Sequence, residues 1–398
     1  MLIQIDAPST GDAGPALFRA GFRPFFLAAG VQAAVMVPLW LAQVLSGLSL
    51  DLPYPALLWH GHEMVFGFAG AAIAGFLLTA VPNWTGGGGL RGGRLMALSG
   101  LWVAARIAFA AGASVPTWIG SVLSLAFLPS LALVLAPSLI QAGKWRNIAF
   151  VPILLLLTAA NALVQAEMLG LSQTGRAGLW MGVFIILMMI AIIGGRIIPG
   201  FTQGGLRMAG IVVQTKSFPW LEKTAIGLLA LAGLANILLP GSVITGVVSL
   251  LAAAVHFARL RGWMGWKTGP VPLLWVLHLG YLWMPVGLTL LGLSCFLPQI
   301  TPQAALHGLT VGCMGMMVLG VMSRAALGHS GRPLVPARLT VIAYGLIMAA
   351  AVARVAGVLA AASAGLWLSG LLWSCGYALY VTAYAPVCLS PRADGRAG

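Results

Sequence analysis

Long apolar stretches separated by short polar segments are the feature that most constrains this chain. A helix needs roughly 20 apolar residues to cross the hydrocarbon layer of a bilayer. Only 7% of the residues are charged, against roughly a quarter in ordinary soluble domains. The sequence therefore predicts an all-α polytopic membrane protein with about twelve transmembrane helices. The expected ranges are 22–46, 56–81, 94–112, 116–137, 145–169, 177–198, 219–239, 241–261, 270–293, 300–325, 335–359 and 362–386.

Basic residues gather in alternate connections between these helices. The net charge is +14, but its placement beside membrane helices argues against a nucleic-acid partner. The crowded side would hold Arg19, Arg23, Arg91, Arg94, Lys144, Arg146, Arg196, Arg207, Lys216, Lys223, Arg259, Arg261, Lys267, Arg324, Arg332, Arg338, Arg392 and Arg396. The other side would hold Arg106, Arg176 and Arg354. Because Lys and Arg accumulate in cytoplasmic loops, we expect both termini in the cytoplasm.

The same pattern predicts a single transmembrane domain. We expect a cytoplasmic segment at 1–21, the helical domain at 22–386 and a cytoplasmic tail at 387–398. The first residues include Asp6, Pro8 and Asp12 and lack an apolar core, so no cleavable signal peptide is expected. The longest polar connection is 199–218.

Ionisable residues inside a membrane are functional candidates, because they are costly to place there. The densest group is Trp59 to Met64, WHGHEM, near the start of the second predicted helix. On a regular helix His60 shares a face with Glu63, Met64 and Gly67, whereas His62 points the opposite way. The face below His60 continues through small residues (Gly67, Ala71 and Ala74), which would let a flat macrocycle approach the backbone or let another helix pack closely.

His307 begins the apolar part of the tenth predicted helix. His60 and His307 fall at a similar depth on two different helices. Two imidazoles in that arrangement are what six-coordinate haem requires. The alternative is that both are polar side chains satisfied by backbone carbonyl groups.

The remaining candidates fall into three sets. His62, His256 and His278 are candidate ligands of copper or of a second haem, with structural hydrogen bonding as the alternative. Arg106 and Arg354, with Arg176 in a loop, are candidates for pairing with haem propionates, because Arg forks match carboxylates. The alternatives for these arginines are pairing with Glu63 or Glu167, or extending to the membrane interface. Those two carboxylates are also candidates for a proton relay, and His329 is expected in a solvated loop.

Four stretches together resemble the NnrS family of bacterial membrane proteins, over essentially the whole chain. They are FRPFF at 22–26, WHGHEMVFGFAGAAIAGFLLTAVPNWTG at 59–86, GRIIPGFT at 195–202 and HGLTVGCMGMMVLGVMSRAALGHSGRPL at 307–334. The family usually has Ala where this chain has Gly61. The resemblance implies a haem- and copper-containing protein of the bacterial inner membrane, linked to denitrification and to protection from nitric oxide and nitrosative stress.

A fainter similarity is to the catalytic subunit of haem–copper oxidases and nitric oxide reductases. That subunit also has twelve helices, and its second helix carries an H-G-x-x-M ligand motif that His60, Gly61 and Met64 match. Three functions therefore stay open. The first is a metal-dependent oxidoreductase that acts on nitric oxide with electrons from a quinol or redox partner. The second is a haem-based sensor that signals through 199–218. The third is a cofactor-free transporter or proton-coupled carrier.

Overall fold

Twelve helices long and apolar enough to cross a membrane run through the part of the chain that the structure describes, which confirms the predicted fold class. The structure is a computed structural model, and it describes residues 14–45, 52–143 and 145–396. The helices are numbered α1 to α12 in chain order: Phe22–Leu45, Ala56–Thr85, Gly92–Ala110, Thr117–Gln141, Trp145–Met168, Gly175–Met208, Pro219–Leu238, Val243–Gly262, Pro272–Ser294, Pro302–His329, Arg338–Leu359 and Ser363–Leu389. Four residues named in the sequence analysis lie outside the described residues: Asp6, Pro8 and Asp12 in the N-terminal segment, and the basic residue Lys144.

The start of α1 and the end of α12 meet on one face of the bundle. The guanidinium of Arg23 donates from Nη1 to the carbonyl oxygens of Cys388 at 3.1 Å and Ser390 at 2.5 Å. We call this face the terminal face and the opposite one the distal face. Since the helices alternate in direction, every even-numbered helix begins at the distal face.

Local sequence signals mark where several helices begin and end. Pro219, Pro272 and Pro302 occupy the first turn of α7, α9 and α10, where the missing N–H group leaves no bond unmade. At the end of α2, Gly86 adopts a left-handed conformation with φ of 71°, which suits a residue without a side chain.

Close helix packing relies on glycine at a few crossings. A Cβ atom on Gly357 of α11 would lie 2.7 Å from the Cα atom of Gly365 on α12. These two backbones therefore touch, as small residues permit in membrane helix pairs. The outer surface carries large apolar side chains such as Leu133, which fits contact with lipid.

Two expectations about helix ends are wrong. The sixth helix does not stop at 198 but continues to Met208, so half of the polar stretch 199–218 is helical. Its extension is stabilised by packing, because Ile198, Thr202 and Leu206 recur four residues apart and are each fully buried. His329 is likewise not in a loop: it is the last residue of α10, and its ring lies 6.2 Å from that of Phe22.

Candidate functional site

A cavity of about 790 Å³ lies among α1, α2, α6, α10 and α12, in the half of the bundle next to the distal face. Both His60 and His307 line it. Its wall is otherwise largely apolar and aromatic, with Trp40, Met64, Phe68, Trp180, Met314 and Trp373 among the residues that contribute. A volume of this size falls within the range of roughly 300–1,000 Å³ that is common for small-molecule and cofactor sites.

The ring of His307 is oriented by its own helix. Its Nδ1 atom lies 2.8 Å from the carbonyl oxygen of Gln303, one turn earlier. A carbonyl only accepts, so Nδ1 carries the proton and Nε2 keeps a lone pair. This is the tautomer that a metal-binding imidazole needs, with the second nitrogen held by a backbone acceptor.

The ring of His60 is held by stacking. Its centroid lies 4.4 Å from that of the Trp40 indole, at an interplanar angle of 26°. Its Nδ1 atom is buried and has no hydrogen-bond partner among the described residues. Such an unsatisfied nitrogen in an apolar wall is unusual and marks a site where a ligand or water is expected.

Three charged side chains also line the cavity: Arg176, Arg354 and Glu167. Arg354 is close enough to interact electrostatically with both His60 and His307, and these two imidazoles interact with each other. The carboxylate of Glu167 accepts a hydrogen bond from the backbone N–H of Gly175, at the start of α6, at 2.7 Å. The cavity thus combines two imidazoles with an excess of positive charge.

Both histidine-bearing helices contain a π-helical segment beside the cavity. In α2 it runs over Glu63–Phe68, and in α10 over Gly308–Gly315. A buried aromatic side chain donates a hydrogen bond to a carbonyl of each segment, Trp102 to Gly67 at 3.1 Å and Tyr377 to Gly315 at 2.9 Å. Single π segments of this kind are frequent at functional sites, because they re-aim the side chains around them.

The π segment overturns the predicted face of α2. Below His60 the cavity is lined by Met64, Val65 and Phe68, and neither Glu63 nor Gly67 reaches it. The expected strip of small residues (Gly67, Ala71 and Ala74) is buried elsewhere in the bundle. For Gly67 and the small residues beyond it, the physical reason is that a π segment takes more residues per turn than the regular helix on which the prediction rested.

His62 and Glu63 belong to a second, separate polar cluster between α1, α2, α3, α4 and α5. The Nδ1 atom of His62 lies 2.9 Å from Oε1 of Glu63, and its Nε2 atom lies 3.1 Å from Oγ of Ser124 and 2.8 Å from Nε2 of Gln165. Glu63 also accepts a hydrogen bond from Gln32 at 2.6 Å. Both ring nitrogens of His62 are therefore occupied by protein partners.

Arg106 lies in this second cluster and does not line the cavity. Its Nη1 atom is 3.1 Å from Oε1 of Glu63, so the alternative of pairing with Glu63 is what the structure contains. The close approach depends on Gly67, because a Cβ atom there would lie 2.5 Å from Nη1 of Arg106.

His256 and His278 make separate contacts near the terminal face. The Nδ1 atom of His256 lies 2.7 Å from the hydroxyl of Tyr281, and the Nε2 atom of His278 lies 2.8 Å from Oγ1 of Thr202. Among the described residues no group of three or more His, Cys, Asp or Glu side chains is placed to hold a metal ion. Copper binding therefore stays a prediction.

The sequence did not identify several residues that shape these sites. Trp40, Gln303 and Gln165 each contact one of the candidate histidines. Gln165 carried a usable signal, since an amide inside an apolar helix is costly unless it has a partner. Trp40 and Gln303 carried none, because their roles depend on which neighbour they meet.

Comparison with known proteins gives one result. The family model described as NnrS protein matches residues 16–392, which is nearly the whole chain. No curated protein matches the chain.

Proposed function

Because this chain belongs to the NnrS protein family, which suggests a role in the nitric oxide response, we propose that it is a membrane haem protein that binds or converts nitric oxide. The proposed site of haem is the cavity between α2 and α10. The observation that carries the proposal is that His60 and His307, from two different helices, line this one cavity.

The donor set fits haem. His307 offers Nε2 as a lone-pair nitrogen, and His60 has a buried Nδ1 atom without a partner among the described residues, which leaves its tautomer free to adapt to a metal. Aromatic and thioether side chains would cover the faces of a macrocycle. Haem, when bound, would supply an iron atom able to exchange electrons and to bind a diatomic ligand.

The charged lining would serve the edge of the macrocycle. Haem carries two propionates, and Arg354 and Arg176 are the cations that line the cavity. Arg forks pair well with carboxylates, particularly away from water. Arg106 is engaged by Glu63 and is replaced in this role by Arg176.

Copper finds less support than haem in the described residues. His62, His256 and His278 are each hydrogen-bonded to protein groups in different surroundings, without converging carboxylates or thiolates. We retain copper as a prediction from the family and assign no chemistry to it.

We further propose that the terminal face lies in the cytoplasm and that the membrane is the bacterial inner membrane. The alternation of Lys and Arg between the connections supports the orientation. A quinol or a reduced partner protein would then supply electrons. In the carrier alternative, Glu63 and Glu167 would relay protons without a metal, and in the sensor alternative the haem would bind nitric oxide without consuming it.

The reduced-minus-oxidised optical spectrum of the detergent-purified protein tests the proposal. We expect haem bands in the wild type and in His329→Ala, a control on α10 at the terminal face, and their loss or change in His60→Ala and His307→Ala. A colourless wild type from haem-replete cells would overturn the haem site and favour the carrier. Haem without consumption of added nitric oxide would favour the sensor.

A further inference from the structure

The chain has six tyrosines, and all of them are buried. Three have protein partners for their hydroxyl groups. Tyr54 donates to the carbonyl of Phe109 and Tyr377 to that of Gly315, while Tyr281 contacts His256 and Arg259. The hydroxyls of the other three make no well-formed hydrogen bond with the described residues; they are Tyr344, Tyr380 and Tyr384.

These three tyrosines lie together, although nothing in the chain order requires it. Tyr344 is on α11, and Tyr380 and Tyr384 stack on α12 with ring centroids 4.7 Å apart. Tyr380 interacts electrostatically with both of the others. Buried polar groups almost always find partners, so three buried hydroxyls in one place without a well-formed hydrogen bond indicate that further partners belong there.

Two smaller hydroxyls extend the group. Ser323 on α10 is near both Tyr344 and Tyr384, and Thr340 on α11 is near Tyr384. Ser323 donates to the carbonyl of Leu319 at 2.7 Å, and the Thr340 hydroxyl makes no well-formed hydrogen bond within the described part of the chain. Ser323 and Thr340 approach the tyrosine hydroxyls closely enough for weak hydrogen bonding, but the contacts are too long or too bent to be well-formed hydrogen bonds. We call Ser323, Thr340, Tyr344, Tyr380 and Tyr384 the hydroxyl cluster.

The cluster is continued by other groups at both ends. Tyr377, one turn above Tyr380 on α12, has its ring 4.7 Å from that of Trp373, which lines the cavity. Its hydroxyl is bonded to Gly315, directly after the cavity-lining Met314. The spacing of 377, 380, 384 and 388 keeps these residues on one face of α12.

At the other end the cluster approaches the terminal face. Tyr384 and Tyr380 interact with Cys388, whose carbonyl oxygen accepts the hydrogen bond from Arg23. Arg324 faces Tyr344 and stacks on Phe201 with its guanidinium carbon 4.0 Å from the ring centroid. The hydroxyls therefore bridge the half of the bundle between the terminal face and the cavity.

We propose that the hydroxyl cluster binds internal water and that hydroxyls and water together carry protons from the terminal face to the cavity. Water supplies the missing partners, since buried water in proteins typically makes about three hydrogen bonds to otherwise unsatisfied groups. Hydroxyls and water each both donate and accept, so a chain of them passes a proton without a charged side chain in the membrane.

The proposal that protons are carried to the cavity rests on the proposed function, and specifically on the conversion of nitric oxide. Two nitric oxide molecules, two electrons and two protons give nitrous oxide and water: an N–N bond forms, one N–O bond breaks, and the released oxygen takes both protons. The electrons come from a quinol or reduced partner protein. The protons must reach a cavity whose lining is mostly apolar, and Tyr377 lies between the hydroxyl cluster and the cavity wall at Trp373.

Radiolytic labelling in oxygen-18 water tests the water independently of any cofactor. Hydroxyl radicals formed from bound water modify side chains next to it, even where bulk solvent does not reach. We expect Tyr344, Tyr380 and Tyr384 to be labelled several-fold faster than the controls Tyr54 and Tyr281, whose hydroxyls are bonded to protein groups outside the path. All six are at most 7% exposed, so burial does not explain such a difference. Equal labelling of the two sets would overturn the internal water.

Proton uptake tests the path. A pH-indicator dye would follow uptake as the reduced, detergent-purified protein is mixed with nitric oxide. We expect Tyr380→Phe and Tyr384→Phe to slow uptake at least tenfold with an unchanged haem spectrum, and Tyr54→Phe to leave it unchanged. Unchanged rates in the first two variants would overturn the path. A wild type without haem would refute the proposed function, and one with haem but no turnover would refute the proton path. In both cases the labelling result would still decide the water.

Discussion

The guanidinium of Arg106 on α3 and the carboxylate of Glu63 on α2 lie 3.1 Å apart inside the bundle. Both side chains are largely shielded, with 10% and 2% of their surfaces exposed. Gln32 and His62 complete the shell around the carboxylate. The pair explains why an arginine is tolerated near the middle of this cluster, and it fixes α3 against the π segment of α2.

Glu63→Gln should destabilise the protein strongly. It leaves the Arg106 charge buried without its counter-ion, and breaking a buried pair from one side typically costs about 3–5 kcal/mol. Thermal melting in detergent measures the effect. Asp394→Asn is the control, because it breaks an ion pair with Arg392 in which both side chains are partly exposed, at 29% and 19%, so its loss should cost less. The double variant Glu63→Gln/Arg106→Gln should recover part of the stability, and an equal loss in both single variants would contradict the expectation.

Arg354→Gln should weaken haem retention without unfolding the protein. A hydrogen bond to a charged group contributes about 1.5–3 kcal/mol, which corresponds to roughly a ten- to hundredfold loss of affinity. Haem transfer to a competing apoprotein measures retention. Arg207→Gln, which removes an exposed arginine at the end of α6, should behave like the wild type. Equal retention in both variants would remove Arg354 from the haem site.

Gly312→Ala should destabilise the contact between α9 and α10. A Cβ atom at Gly312 would lie 2.4 Å from Cδ2 of Trp283, and the indole cannot yield without displacing its helix. Overpacking of this kind typically costs about 1–3 kcal/mol. Thermal melting of the purified variant gives the loss directly. At Gly345 of α11 a Cβ atom meets nothing within 4 Å, so Gly345→Ala should melt at the wild-type temperature or above it.

The segment after α12 is docked on the end of α10, where Arg392 Nη1 donates to the carbonyl oxygen of His329 at 2.8 Å, and its docking should respond to acid through Asp394. The Arg392 guanidinium, 2.5 Å from this carboxylate, lowers the pKa of Asp394 to about 2. A lowered folded-state pKa stabilises the docked segment above the ordinary Asp pKa, and this contribution is lost as the pH falls towards 2. Carbon-13 labelling of aspartate would show only Asp6, Asp12, Asp51 and Asp394, so the titration is resolvable.

Two variants test the assignment of this signal to Asp394 and the cause of its lowered pKa. Asp394→Asn should remove the lowest-titrating signal and so assign it. Arg392→Gln should move the Asp394 midpoint up towards the ordinary value for a carboxyl group. A midpoint that does not move would mean that Arg392 is not the cause.

The sequence predicted that the two candidate haem ligands lie at the same level of the bundle. His60 and His307 were expected at similar depth because both are near the start of helices that run in the same direction, and both line the same cavity. Their roles as iron ligands stay a prediction. For Arg106 the same logic could not choose between a propionate and Glu63, because the choice depends on how α2 packs against α3.

The hydroxyl cluster was invisible for a similar reason. A tyrosine in an apolar helix gives no sign of whether its hydroxyl will meet a carbonyl, as Tyr377 does, or none, as for Tyr380. Tyr377 and Tyr380 are three residues apart and differ only in the groups that lie opposite their hydroxyls. Such differences appear when neighbouring helices are packed, and not before.

The sequence by itself determined the helices, their number and the alternation of basic connections. These depend on local physics, since an apolar run must bond its own backbone within the membrane wherever it lies. The tertiary structure alone decided that Arg106 pairs with Glu63, that Arg176 and Arg354 share a cavity, and where unpaired hydroxyls collect. Those outcomes depend on contacts between residues far apart in the chain, and on two π segments that shift side chains from the faces a regular helix would give them.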